Sequence, residues 1–210
     1  MITKEEYGKV RTVAEFIAWV NSYPDQENKK NIWIKKFNQE AGPLRHFLTQ
    51  YVLPASTQVQ LDTTEDSYDA LLIVPSTNST PNKMKFQIVS TETEETLLMY
   101  DHLKKYGMAW LPAGAKGNLK KMENEEIEND GSLRSKNEIV HENIDQIIDR
   151  INKKISKKYA DKLYLLVSFN DFFLANMPGE VIKKFVLDKI LPNDSFIKIY
   201  LVSENKLIEL

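Results

Sequence analysis

Apolar residues recur at helical spacing in some stretches of the chain and alternate or run together in others. Tyr7, Val10, Val13, Ile17 and Val20 share one helical face behind a capping box, Thr3-Lys-Glu-Glu6. This predicts one helix that stops near Asn21-Ser22-Tyr23-Pro24, because the residue before proline avoids the α region. A second stripe, Ile32, Trp33, Phe37, Ala41, Leu44, Phe47, Leu48 and Tyr51, predicts a helix from about Glu27 to Pro54. Gly42-Pro43 should kink it or divide it into two abutting helices, since proline removes a donor and crowds the preceding turn. Trp19, Trp33 and Phe37 fall at helical spacing and belong to the core.

Strand patterns follow. Gln58-Val-Gln-Leu61 alternates, Ala70-Leu-Leu-Ile-Val74 is continuously apolar, and Phe86-Gln-Ile-Val89 comes after a turn-rich loop. These predict an antiparallel meander. Glu94 to Tyr106 reads as a helix stopped by Gly107, and residues 108–134 as an irregular, acidic insertion. A capping box at Ser135-Lys-Asn-Glu138 opens a long helix carrying Ile139, Ile144, Ile147, Ile148, Ile151, Ile155 and Tyr159. Leu163–Val167 is a buried strand. Asn176-Met-Pro-Gly caps a helix with stripe Val181, Ile182, Phe185, Val186 and Ile190. Strands Phe196–Val202 and Leu207–Leu210 close the chain. The order implies an α/β fold: one mixed sheet with helices on both faces, in a single domain over residues 1–210.

Composition narrows the chemistry. The 210 residues are 42% hydrophobic and 28% charged, with net charge −2. A nucleic-acid partner would therefore have to be met by a local basic face. The absence of cysteine excludes disulfides, thiolate metal sites and cysteine nucleophiles, and fits a reducing cytosol. MITKEEYGKV has no apolar h-region, and no run approaches the roughly 20 residues needed to span a bilayer. The expectation is a cytoplasmic protein with no membrane partner.

Three positions sit on consistent elements: Glu40 on the helix before the meander, Asp69 entering the second strand, and Gln87 in the third. With the element order, they resemble the PD-(D/E)xK, or restriction-endonuclease-like, nuclease superfamily over about Asn31 to Leu210. The resemblance implies a restriction-endonuclease-like core and a Mg²⁺ site built from Asp69, Gln87 and Glu40. The family's lysine position holds Val89, which can neither activate water nor offset charge. Lys85 points to the same strand face as Gln87 and is the candidate substitute; Lys83 shares its parity.

Arg150, Lys153, Lys154, Lys157, Lys158 and Lys162 form a basic patch at a helix end. Cations favour helix C-termini for electrostatic reasons alone. As a functional patch, Lys153, Lys154, Lys157 and Lys158 would contact phosphates. The three histidines, His46, His102 and His141, lack zinc-site spacing. Ala113-Gly-Ala-Lys-Gly-Asn-Leu-Lys is no P-loop, and no serine lies in a G-x-S-x-G context. The leading expectation is a nuclease-related protein that binds or acts on nucleic acid at a degenerate Mg²⁺ site. The alternative is a catalytically inactive scaffold for a protein partner, a homodimer included.

Overall fold

The computed structural model describes residues 2–23, 32–64, 67–76, 80–91, 136–170, 174 and 176–210. The helix expected over Glu94–Tyr106, the 108–134 insertion and the Ser135 cap lie outside the described residues.

Among the described residues, seven strands form one mixed sheet, arranged edge to edge in chain order. They are β1 (Arg11–Thr12), β2 (Gln58–Leu61), β3 (Ala70–Val74), β4 (Asn82–Ser90), β5 (Leu163–Ser168), β6 (Phe196–Val202) and β7 (Leu207–Glu209). β1 through β4 are antiparallel neighbours. β5 runs parallel to β4 and β6 parallel to β5, and β7 returns antiparallel. The protein is thus α/β with a mixed open sheet, as the patterning implied.

Among the described residues the helices are α1 (Lys4–Tyr7), α2 (Val13–Asn21), α3 (Ile32–Lys36), α4 (Gly42–Gln50), α5 (Lys136–Ile155) and α6 (Gly179–Leu187), with a π-helical turn, Phe37–Ala41, between α3 and α4. The first expected helix is in fact broken. Thr3 caps α1 as anticipated, but Glu6 turns its carboxylate to the Arg11 guanidinium instead of closing the box. A second capping box, Thr12 with Glu15, starts α2. Between them Arg11 enters the sheet opposite Val59 and lays its guanidinium 4.0 Å over the Trp19 ring. Gly8 ends α1 where a Cβ would lie 2.6 Å from the Thr63 methyl. Hydrophobic spacing alone could not register this break.

The second helical stretch, of which residues 27–31 lie outside the described residues, divides before Pro43 into α3 and α4 around a wide turn, the second of the two expected outcomes. Pro43 has no N–H to give, and the Gly42 N–H reaches back five residues to the Phe37 carbonyl. That turn carries Glu40 and packs on β4. At α6, Pro178 rather than Asn176 occupies the cap position, and its carbonyl accepts from Val181 and Ile182.

Each sheet face carries its own core. α2, α3 and α4 bury Phe16, Ile34, Leu44 and Phe47 against Leu72, Phe86, Leu166 and Tyr200. α5 and α6 bury Ile144, Ile147, Ile151, Ile182 and Val186 against Leu165, Val167 and Leu201. The parallel register sets Gln87 beside Leu165 and Val89 beside Val167, so both face α5. Phe47 is fully buried, with its ring 5.2 Å from Phe86 and 5.1 Å from Tyr200. Phe47→Ala is expected to cost about 3–5 kcal/mol in urea unfolding; a loss under about 1 kcal/mol would mean that this core does not hold α4 to the sheet.

Candidate functional site

Asp69 stands where β3 begins, and three bonds tie it into the sheet. Its N–H donates to the Phe86 carbonyl at 2.7 Å, and its carbonyl accepts from Asp62 N–H at 2.9 Å. Its carboxylate Oδ2 accepts the Ile88 N–H at 2.7 Å. The aspartate therefore bridges the entrance of the meander, with its carboxylate half-buried where β3 begins beside β4. Burial pushes its pKa up; the Ile88 N–H and the Lys154 charge pull the other way.

Gln87 is buried on the α5 face of β4. Its Nε2 donates to the Ser67 carbonyl at 2.6 Å, which turns Oε1 toward α5. There Lys154 Nζ donates to Oε1 at 2.5 Å, and the Tyr159 hydroxyl lies 3.4 Å from the same oxygen. Lys154 is in the last turn of α5. Lys158 then takes a left-handed conformation, φ 48°, and the chain reverses to bring Tyr159 back over the site. Burial lowers the Lys154 pKa, against the opposing pull of Asp69. Tyr159 is pushed up, by burial first and the Asp69 charge second.

Glu40 approaches from the π-helical turn on the other side of the mouth. Its Oε2 accepts the hydroxyl of the fully buried Tyr7. Burial and the Asp69 charge hold the Glu40 carboxyl up at about 7, despite the Tyr7 hydrogen bond and the nearby Lys36 charge. Asp62, at the end of β2, is a third acid within electrostatic reach; it accepts from the Thr64 hydroxyl at 2.6 Å.

Glu40, Asp69, Gln87 and Lys154 are thus brought into one polar cluster, whereas Lys85 is directed elsewhere. Lys85 shares the face of Gln87, but its Nζ pairs with Asp161 at 2.6 Å and lies 5.3 Å from the Tyr68 ring centre. The ammonium on Gln87 comes from the helix, not the strand. Val89, Arg150, Lys153, Lys154 and Lys157 line a groove of about 140 Å³ beside the cluster. Arg150, Lys153 and Lys154 come from the last turns of α5 and Lys157 from the turn that follows it, with Lys154 half-buried and Lys153 and Lys157 exposed. Lys158 is exposed at the helix end. His46 lies against Arg45 on α4, His141 against Phe185, and His102 outside the described residues.

Tyr7 and Tyr159 fall in apolar stripes and Asp62 in none, so patterning marks none of the three as a member of the site. Asp62 alone left a readable trace, as an acid directly after a strand whose neighbour begins with Asp69. Among the described residues no three His, Asp or Glu side chains gather into a ready metal cage. In donor type, however, the cluster fits a hard divalent cation: two half-buried carboxylates held above their usual pKa values, and an amide carbonyl.

No protein-family model, curated protein or solved structure matches this chain. Among the described residues no helix is long and apolar enough to cross a membrane.

The raised Glu40 pKa has a measurable consequence. The fold favours the protonated form, so the contribution of Glu40 is full below its usual 4.5 and is lost as pH rises through about 7. The stability difference between wild type and Glu40→Gln should shift against wild type across that window, by at most about 3 kcal/mol. Thermal melts of both proteins from pH 4 to 8 check this; a difference that is flat or moves in favour of wild type would contradict the burial of this carboxyl.

Proposed function

We propose that the chain is a nuclease-related protein of the PD-(D/E)xK type that binds nucleic acid by its phosphates, at a degenerate Mg²⁺-dependent phosphodiesterase centre. The observation that carries this reading is Lys154 Nζ on Gln87 Oε1 at 2.5 Å, beside Asp69 and at the edge of the basic groove. The succession α4, β2–β4, α5 and β5 supports a restriction-endonuclease-like core, with the site at the start of its second meander strand.

Asp69, Gln87 and Glu40 are the residues that would hold Mg²⁺. When bound, the ion supplies the positive charge that polarises a phosphodiester and acidifies water. The remaining chemistry belongs to the chain. Lys154 provides, from α5, the cation that Val89 cannot provide from β4, and offsets negative charge developing on a phosphoryl oxygen. Glu40, held near neutrality, keeps or releases a proton close to pH 7. Tyr7 fixes its orientation. Arg150, Lys153 and Lys157 meet backbone phosphates along the groove. Gln in place of an acid lowers the anionic charge of the centre, which makes binding its stronger capability and hydrolysis its weaker one.

A protein-partner reading has one observation in its favour: the exposed Val181, Phe185 and Leu187 on α6. The experiment that separates the two readings is fluorescence anisotropy with labelled single- and double-stranded oligonucleotides across a salt series. Lys153→Ala/Lys157→Ala should weaken binding at least tenfold and reduce the salt slope by about 2. Any Mn²⁺-dependent cleavage should vanish in Asp69→Ala. Binding unchanged by the double substitution would leave the scaffold reading in its place.

A further inference from the structure

We infer that Lys154 is the resident cation of this site and competes directly with a divalent ion for the Gln87 oxygen. The inference rests on the metal-site reading above and concerns how that site is regulated.

The geometry makes the competition unavoidable. The Gln87 amide is oriented by its Nε2, which donates to the Ser67 carbonyl at 2.6 Å. Its single acceptor oxygen therefore faces α5, where Lys154 holds it at 2.5 Å and the Tyr159 hydroxyl flanks it. One oxygen of Asp69 is committed to the Ile88 N–H, and one oxygen of Glu40 to Tyr7. The Gln87 carbonyl is then the point at which an incoming ion and the ammonium collide. A dication and an ammonium sharing one neutral carbonyl would stand within a few ångströms of each other, where like charges repel strongly. An ion that takes Gln87 as ligand must displace Lys154.

The displaced side chain has somewhere to go. Its flexible four-carbon stem starts at the wall of the groove that Val89, Arg150, Lys153 and Lys157 complete. In its present position the ammonium offsets Asp69 and Glu40 without a metal. The same lysine thus alternates between serving as counterion of the acids and lining the phosphate groove.

The test is calorimetric titration of Mn²⁺ into the full chain and its variants, with circular dichroism as the folding control. Lys154→Met keeps the buried stem and removes the charge, and should bind Mn²⁺ at least tenfold more tightly than wild type. Lys154→Gln is a second neutral variant and should shift the same way. Lys154→Arg keeps the charge and should stay within about threefold of wild type, which loss of packing alone would not produce. Asp69→Ala should lose binding. Folded neutral variants that bind Mn²⁺ no more tightly than a wild type that does bind it would overturn the competition and leave the metal site standing. An absence of binding in wild type and in both neutral variants would overturn the competition and the metal-site reading together.

Discussion

Where β3 starts beside β4, the Asp69 carboxylate takes the Ile88 N–H while the Asp69 main chain bonds Phe86 and Asp62. That clasp closes the meander, and it also draws a negative charge partly out of water where β3 begins. A buried carboxylate is costly unless hydrogen-bonded and met by opposite charge. The surrounding cluster answers that requirement. Lys154 arrives from α5, Tyr7 satisfies the second acid, Glu40, and Gln87 ties the ammonium to the strand. The structural and chemical roles of Asp69 are therefore one arrangement, and a substitution there acts on both.

The π-helical turn belongs to the same economy of geometry. Pro43 forbids the ordinary ladder at this point, and the widened turn carries Glu40 against β4 while α4 continues onto the core. A local backbone irregularity thus serves the mouth between strands, on the sheet face opposite the helix that supplies Lys154.

The meander and the order of strands along the chain, β1 apart, were legible because they depend on short-range signals: alternation in Gln58–Leu61, the apolar run Ala70–Val74, and turn residues between strands. The parity of Gln87 and Val89 was legible for the same reason, since strand side chains alternate strictly. The break at Gly8 was hidden, because Tyr7, Val10 and Val13 keep a helical spacing across it, and only the contact with Thr63 and the entry of Arg11 into β1 decide otherwise. The identity of the site lysine was hidden for a deeper reason. Lys85 and Lys154 are equally reasonable on charge. The choice between them depends on the crossing of α5 over the sheet and on Asp161 drawing Lys85 away, which are long-range facts. Lys153, Lys154, Lys157 and Lys158 read as one patch in sequence, yet helical phase turns Lys154 inward while Lys153, Lys157 and Lys158 remain exposed.

The most direct measurement of the central claim, that a helix-borne lysine is bound to Gln87, is a double-mutant cycle on unfolding free energy with Gln87→Met, Lys154→Met and the pair. Hydrogen bonds to charged groups contribute more than neutral ones, so a favourable coupling of about 1 kcal/mol or more is expected. Effects that add to within about 0.3 kcal/mol would contradict the account, since they would mean that Lys154 and Gln87 do not meet in the folded protein.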